Sequence, residues 1–259
     1  MRDAHPSLPE LFDLDYGGFE DDFSFYENLA RRCERPILEL GAGTGRAALP
    51  LARAGFEVWG IEISEAMLDR ALLKAGASPP ARLHLLPGDM RDFQLEQAFD
   101  LIFAGLGAFH HLITADDQRA CLRCVERHLA PGGLFVCDLR SLLHSDWEPG
   151  DSVPLLHDWT RALPATGETV TKLRSVRVDR AQQVQHETHL YDCLAADGSV
   201  HRVVSEVDLR FTTRYEMEGL LREAGLQLGQ VYGDFDLTPW DEYSEYLITV
   251  AWKPPKEST

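Results

Sequence analysis

Basic residues are scarce in this chain: 25 lysines and arginines face 42 aspartates and glutamates, a formal net charge of −17. Nucleic-acid binding takes most of its affinity from Lys and Arg neutralising phosphates, so no nucleic-acid partner is expected. The simplest reading of the acidity is solubility; a sharper one is a field that attracts cationic substrates such as amines. Long apolar runs are missing as well. No segment approaches the ~18 residues that mark a bilayer-spanning helix, and Met1-Arg2-Asp3-Ala4-His5-Pro6 has neither the basic nor the apolar stretch of an export signal. No membrane association and a cytoplasmic location are therefore expected. Cysteine is sparse and odd in number, at Cys33, Cys121, Cys124, Cys137 and Cys193. That is poor material for a disulfide framework and points to reduced thiols. Internal repeats and low-complexity tracts are also lacking.

What remains is a chain of 259 residues, 44% hydrophobic, enough for one full core. Pro6, Pro9, Gly17 and Gly18 mark residues 1–18 as a loop, and Phe23, Tyr26, Leu29 and Ala30 place a helix over about Phe19 to Cys33. Short apolar strands follow at Pro36–Leu40, Phe56–Ile63, Arg82–Leu86, Phe99–Ala104 and Leu134–Leu139. Helices lie between them: one closed by Gly55 and shortened by Pro50, one capped by Ser64, and one from Thr114 to Leu129 that Ala130-Pro131-Gly132-Gly133 ends. This alternation predicts an α/β fold with a mostly parallel sheet covered on both faces. From about Arg140 to Arg210 the period changes to two. Val184, His186, Thr188 and Leu190 alternate with polar neighbours, as do Val203, Ser205, Val207, Leu209 and Phe211, with Asp197-Gly198 as the turn between. An antiparallel insertion of two or three strands is expected there. Thr213 then opens a helix with capping-box spacing, Gly225 ends it, and strands near Leu226–Gly233 and Tyr246–Trp252 complete the sheet.

The first strand runs into Gly41-Ala42-Gly43-Thr44-Gly45, and only glycine lets a backbone approach a nucleotide-like ligand this closely. The dinucleotide fingerprint G-x-G-x-x-G is not met, because the third glycine falls one place early. Glu39, inside the strand, would repel a pyrophosphate and instead suits a cofactor with a cationic methionine end. About twenty residues on, Glu62 stands where a carboxylate accepts hydrogen bonds from both ribose hydroxyls. After the third strand Asp89 can take an adenine amine, while Met90 covers the ring and its N–H reaches a ring nitrogen.

These residues carry a resemblance to the class I S-adenosylmethionine-dependent methyltransferases: Leu38 through Arg46, Gly60-Ile61-Glu62-Ile63-Ser64, Gly88-Asp89-Met90-Arg91 and Leu129 through Gly133. Tyr16, Met67-Leu68 and Phe109-His110-His111-Leu112 make the chain similar to the bacterial small-molecule group that includes sugar-amine and glycine-type N-methyltransferases. The resemblance spans roughly residues 16–140. It implies a Rossmann-like seven-stranded sheet with the last strand antiparallel, and a lid formed by the antiparallel insertion after the fifth strand. It divides the chain into 1–35 over the cofactor, a core of 36–140 and 212–254, and a lid of 141–211. It implies S-adenosylmethionine as cofactor, with Gly41, Gly43 and Gly45 lining its methionine part, Glu62 and Ile63 at the ribose, Met67 nearby, and Asp89 and Met90 at the adenine. Tyr16 and Arg46 would close over the carboxylate and sulfonium, and the backbone of Gly105 and Leu106 would meet the amino group. A small-molecule acceptor is implied, amine preferred over hydroxyl.

Transfer from a sulfonium asks chiefly for positioning. A base is needed only for a protonated or hydroxyl acceptor, and His111, His110 and Tyr16 are the candidates, each weighed against a packing role. No metal is expected: Cys121-x-x-Cys124 lies within a helix without a second pair, and His186 and His189 fall on opposite strand faces. Trp147, His157, Trp159, His186, His189, Tyr191 and Arg210 are lid residues that could touch substrate. Trp240, Glu242, Tyr243 and Tyr246 form an aromatic, acidic loop suited to an amine. Ala104-Gly105-Leu106-Gly107 lacks the Asn/Asp-Pro-Pro-aromatic segment used on amide-like nitrogens, and no Pro-Cys nucleophile appears. A nicotinamide oxidoreductase and a noncatalytic S-adenosylmethionine binder remain as alternatives. Oligomeric state stays open, a homodimer included.

Overall fold

The computed structural model describes residues 7–141 and 154–255; Trp147 lies outside them. Two helices open the described chain, α1 (Leu8–Tyr16) and α2 (Phe23–Ala30). The expected loop over residues 1–18 is thus overturned for its second half. Pro9 sits in the first turn of α1, where its missing N–H costs nothing, and Gly17 follows the last residue, so the supposed loop signals are start and stop signals of a short helix. The helix expected over Phe19–Cys33 is trimmed to the eight residues of α2.

The core then alternates β1 (Ile37–Leu40), α3 (Ala48–Arg53), β2 (Val58–Glu62), α4 (Glu65–Ala75), β3 (Leu83–Pro87), β4 (Phe99–Ala104), α5 (Ala115–His128) and β5 (Leu129–Arg140). Pro50 and Gly55 hold α3 to six residues. The Ser64 hydroxyl caps α4 by accepting from the Met67 N–H, and Thr114 caps α5 through Asp117. Strand β5 begins earlier than expected. Leu129 pairs with Phe99 before the register slips to Leu134 opposite Leu101, so Ala130–Gly133 bulges out of the ladder instead of preceding the strand. After the insertion, α6 (Arg214–Glu223), capped by Thr213, leads to β10 (Gln227–Tyr232) and β11 (Tyr246–Trp252).

The seven strands lie in the order β10-β11-β5-β4-β1-β2-β3, with β11 antiparallel to both neighbours and the other pairings parallel. Both faces are buried: Leu38, Leu40, Ile102 and Phe135 pack with α5 and α6, while Ile37, Phe103 and Val136 pack with α2 and α3. The insertion carries four strands, not two or three: β6 (Leu156–Ala162), β7 (Thr169–Asp179), β8 (Val184–Leu194) and β9 (Val200–Arg210), all antiparallel. Of the residues of β8 singled out by their alternation, Val184 is buried but His186, Thr188 and Leu190 prove to be the outer set. From Gln185 onward the buried ones are Gln185, Glu187, His189, Tyr191 and Cys193, in register with Leu209, Val207, Ser205, Val203 and His201 of β9.

Candidate active site

Strand order reverses around β1, with β2 on one side and β4 on the other, and a ligand crevice opens at the carboxyl ends of strands at such a point. The turn leaving β1 needs glycine three times, since Gly41, Gly43 and Gly45 have φ of +70°, +55° and +74°. A Cβ on Gly41 would come within 2.9 Å of the Ala108 side chain and 3.4 Å of the Met90 methyl, so this residue, Met90 and Ala108 share the crevice floor. Glu62, at the end of β2, accepts the Gly43 N–H at 3.0 Å on one oxygen and the Ser64 N–H at 2.9 Å on the other. Its carboxylate is thereby fixed and retains lone pairs for further donors. Glu39 is buried in β1, and its Oε2 has no hydrogen-bond partner. Burial pushes its pKa up to about 8, against the opposing field of Arg46, with Asp22 and Glu62 adding to the rise.

Beyond β4, Leu106 and Gly107 both take left-handed φ, +51° and +70°, an uncommon state for leucine. Asp138 of β5 holds this turn, accepting from the Gly107 N–H at 2.9 Å and the Tyr26 hydroxyl at 2.6 Å; burial raises its pKa to about 6. A 3-10 turn over Ala108–His111 follows and separates the two histidines. His110 is buried, and its Nδ1 meets the Arg210 carbonyl of β9 at 2.7 Å. A carbonyl only accepts, so Nδ1 carries the proton, and burial lowers the imidazole pKa to about 4. His111 instead is exposed; the protein mass around it lowers its pKa, and Glu187 opposes the shift.

Helix α1 joins the glycine turn to the second sheet. Phe12 lies over Gly43, and Asp13 accepts from Thr44 at 2.6 Å and from Arg70 and Lys74 of α4 at 2.7 Å each. Two residues on and facing the other way, Asp15 accepts from Trp159 at 2.7 Å, Lys172 at 2.6 Å and Tyr191 at 3.0 Å. Tyr16 packs on Phe12 with ring centroids 5.0 Å apart. Burial, then the charges of Asp15 and Glu187, push its hydroxyl pKa upward. Arg46 is bound by the fully buried Asp22 through two nitrogens and also donates to the Phe19 carbonyl at 3.0 Å.

At the third strand Asp89 is gripped by Arg91, whose side chain also reaches Asp117 at 2.9 Å; the Arg91 hydrogen bonds hold the Asp89 carboxyl below its usual range. Ile63 is exposed beside Glu62, and Met67 is half-buried on the first turn of α4. The remaining candidates disperse. Cys121 and Cys124 are buried in α5, and no metal-binding group of side chains occurs among the described residues. His186 faces out to Asp208, His157 is exposed, and Arg210 ties β9 to Glu216 of α6. Trp240 packs on the core under Arg214, Tyr246 packs on Phe235, and Glu242 and Tyr243 are exposed.

Residues 37–133 match a family model described as a methyltransferase domain. The chain is 31% identical over 238 residues to the dTDP-3-amino-3,4,6-trideoxy-alpha-D-glucopyranose N,N-dimethyltransferase of Streptomyces venezuelae, covering 88% of this chain and 92% of that one. It is 26% identical over 259 residues to the glycine/sarcosine N-methyltransferase of Halorhodospira halochloris, covering 96% and 86%. The solved CcbJ methyltransferase of Streptomyces caelestis superposes with a TM-score of 0.74 at 28% identity, covering 97% and 91%. The chain belongs to the S-adenosylmethionine-dependent methyltransferases.

The crevice of this methyltransferase suits that cofactor on its own evidence. The unpartnered Glu39 Oε2 lacks a donor that an α-ammonium group would supply, and Gly41, Gly43 and Gly45 present backbone without side chains beside it. A nicotinamide reading leaves Glu39 without such a role and finds no support among the relatives. Sequence reasoning missed Asp138, Tyr26, Asp22, Asp13, Asp15 and Glu187. A signal existed for Asp138, an acid within the apolar run Phe135-Val136-Cys137-Asp138-Leu139, and for Glu187, a charge at a buried strand position. Among the described residues, no helix of the methyltransferase is long and apolar enough to cross a membrane.

Proposed function

We propose that the methyltransferase moves the methyl group of S-adenosylmethionine to an amino nitrogen of a small molecule. The relatives that act on amino groups support the amine, as does the net charge of −17, which favours cationic acceptors. When bound, the cofactor supplies an electrophilic methyl on sulfur. In this reading Gly41, Gly43 and Gly45 line its methionine part, with Glu39 and the backbone of Gly105 and Leu106 at the ammonium. Glu62 takes the ribose beside Ile63 and Met67, and Asp89 and Met90 take the adenine. Tyr16 closes the methyl end. Arg46, already held by Asp22, acts on the carboxylate through its charge alone. Residues 1–35 and the second sheet, within 141–211, enclose the core of 36–140 and 212–254 as cover and lid. His111 takes the acceptor's proton, whereas His110 fixes the core against β9. Five unbonded cysteines suit a reducing, cytoplasmic setting.

The test is transfer of labelled methyl from S-adenosylmethionine to paired amines and alcohols of one skeleton, 3-amino-3-deoxyglucose and glucose first. Label in the amines alone supports the reading; label only in hydroxyl compounds refutes it.

Two further outcomes bear on the cofactor. Glu62→Ala should weaken S-adenosylhomocysteine binding by about 2–4 kcal/mol, since charge-assisted bonds are worth roughly 1.5–3 each. Unchanged affinity in calorimetry would remove Glu62 from the ribose. Glu39, with a pKa of about 8 in the free protein, is mostly protonated at neutral pH, and an ammonium partner favours its ionised form. Binding near pH 7 should therefore release close to one proton, and affinity should rise with pH up to about 8. Calorimetry in two buffers of different ionisation enthalpy measures that release, and Glu39→Gln should abolish it.

A further inference from the structure

The buried face of β8 carries an unfinished hydrogen-bond set. Gln185, Glu187 and His189 alternate along it at 1%, 9% and 8% exposure. Gln185 Nε2 donates to Glu187 Oε1 at 2.5 Å, and His189 Nε2 meets Glu187 Oε2 at 2.7 Å. A carboxylate only accepts, so Gln185 must turn its amide nitrogen to Glu187, which leaves its amide oxygen buried without a donor. Burial would raise the Glu187 pKa, but His189, Gln185 and Arg174 together hold it below the usual range, so the group is anionic at neutral pH. Tyr191 on the same face donates to Asp15, the neighbour of Tyr16, and the charge of Glu187 is felt at Tyr16, His110 and His111, so this face of β8 lies towards α1 and the histidine turn. The 3-10 turn bearing the histidines is itself hydrogen-bonded to β9, next to β8 in the sheet.

We infer that Glu187 and the Gln185 amide oxygen seat the acceptor's amino group, making Glu187 a specificity-determining residue for nitrogen over oxygen. The inference rests on the amine reading above. An ammonium that has given one proton to His111 keeps two N–H donors and one lone pair. The two acceptors on β8 take the two N–H groups, and the lone pair is left pointing away from the sheet. That pair forms the new N–C bond as the C–S bond breaks, its electrons returning to sulfur to leave a neutral thioether. A hydroxyl has one donor and leaves an acceptor on β8 unmatched.

Sinefungin, the cofactor analogue with a carbon-borne ammonium in place of the S-methyl, puts a cation at the transfer position without the natural acceptor. The experiment compares its affinity with that of S-adenosylhomocysteine in wild type, Glu187→Gln and Gln185→Leu. Glu187→Gln should cut the preference for sinefungin at least tenfold, with S-adenosylhomocysteine affinity within twofold of wild type. Gln185→Leu, which keeps the charge and deletes the orphan oxygen, should cut it about threefold and carries the test if Glu187→Gln fails to fold. An unchanged preference in both variants, or equal loss of both ligands, overturns the seat. With 3-amino-3-deoxyglucose as acceptor, Glu187→Gln should raise KM at least tenfold. A wild type that binds S-adenosylhomocysteine but methylates no amine refutes the amine reading and the seat together; amine transfer with an unmoved sinefungin preference refutes the seat alone.

Discussion

His111→Ala is expected to lower kcat by about 10²–10⁴-fold, the contribution typical of a positioned general base, while S-adenosylhomocysteine affinity stays within twofold. Three observations lead there. His111 stands exposed just beyond the carboxyl end of β4, the end of the sheet at which the glycine turn also leaves β1. The protein mass around the ring keeps the imidazole pKa below its usual value, so it is neutral and proton-accepting at pH 7. Its neighbour His110 is unsuited, because Nδ1 is committed to the Arg210 carbonyl and burial drops the imidazole pKa to about 4, too weak a base for an ammonium. The pH profile separates a base from a strut. Wild-type kcat should show an acid limb below 6.5 that disappears in the variant. Equal losses in turnover and cofactor affinity would make His111 structural.

Asp22→Ala should destabilise the fold by about 3–5 kcal/mol, the usual result of stripping one partner from a buried ion pair. For a chain of this size that is a fall in Tm of roughly 6–20 °C, read by calorimetry. Asp22 is completely buried and binds Arg46 through both carboxylate oxygens, so its loss leaves a guanidinium in the interior beside Glu39. A second readout follows from that neighbour. Asp22 raises the Glu39 pKa and Arg46 lowers it, so the milder Asp22→Asn should move the pH dependence of cofactor binding downward from about 8. A variant with wild-type Tm and an unmoved profile would show the pair to be energetically idle.

The parts of the site visible in the sequence were those written in short spacings. Gly41, Gly43 and Gly45 lie within five residues, Glu62 ends a strand and Ser64 caps the next helix, all local relations. What escaped was written in long ones. Tyr26 meets Asp138 across 112 positions and Asp15 meets Tyr191 across 176, and no spacing rule links such partners. The β8 face was misjudged for a different reason. Periodicity assigns the more apolar set of an alternating strand to the interior, but here Gln185, Glu187 and His189 are inside, joined by hydrogen bonds to the Glu187 carboxylate. Helix α1 was lost because proline and glycine punctuate a nine-residue helix as densely as they punctuate a loop.

That helix has a consequence for any attempt to retarget the enzyme by grafting. Its Asp13 is bonded to Thr44 of the glycine turn and Lys74 of α4, and its Asp15 to Trp159, Lys172 and Tyr191 of the second sheet. A chimera that imports residues 141–211 from a relative but keeps the host's first helix would set an aspartate against foreign side chains. It would also leave the incoming counterpart of Lys172 without its counterion. The transplantable module is therefore discontinuous in sequence, the second sheet together with residues 8–16, and libraries that vary acceptor choice should randomise across both segments at once.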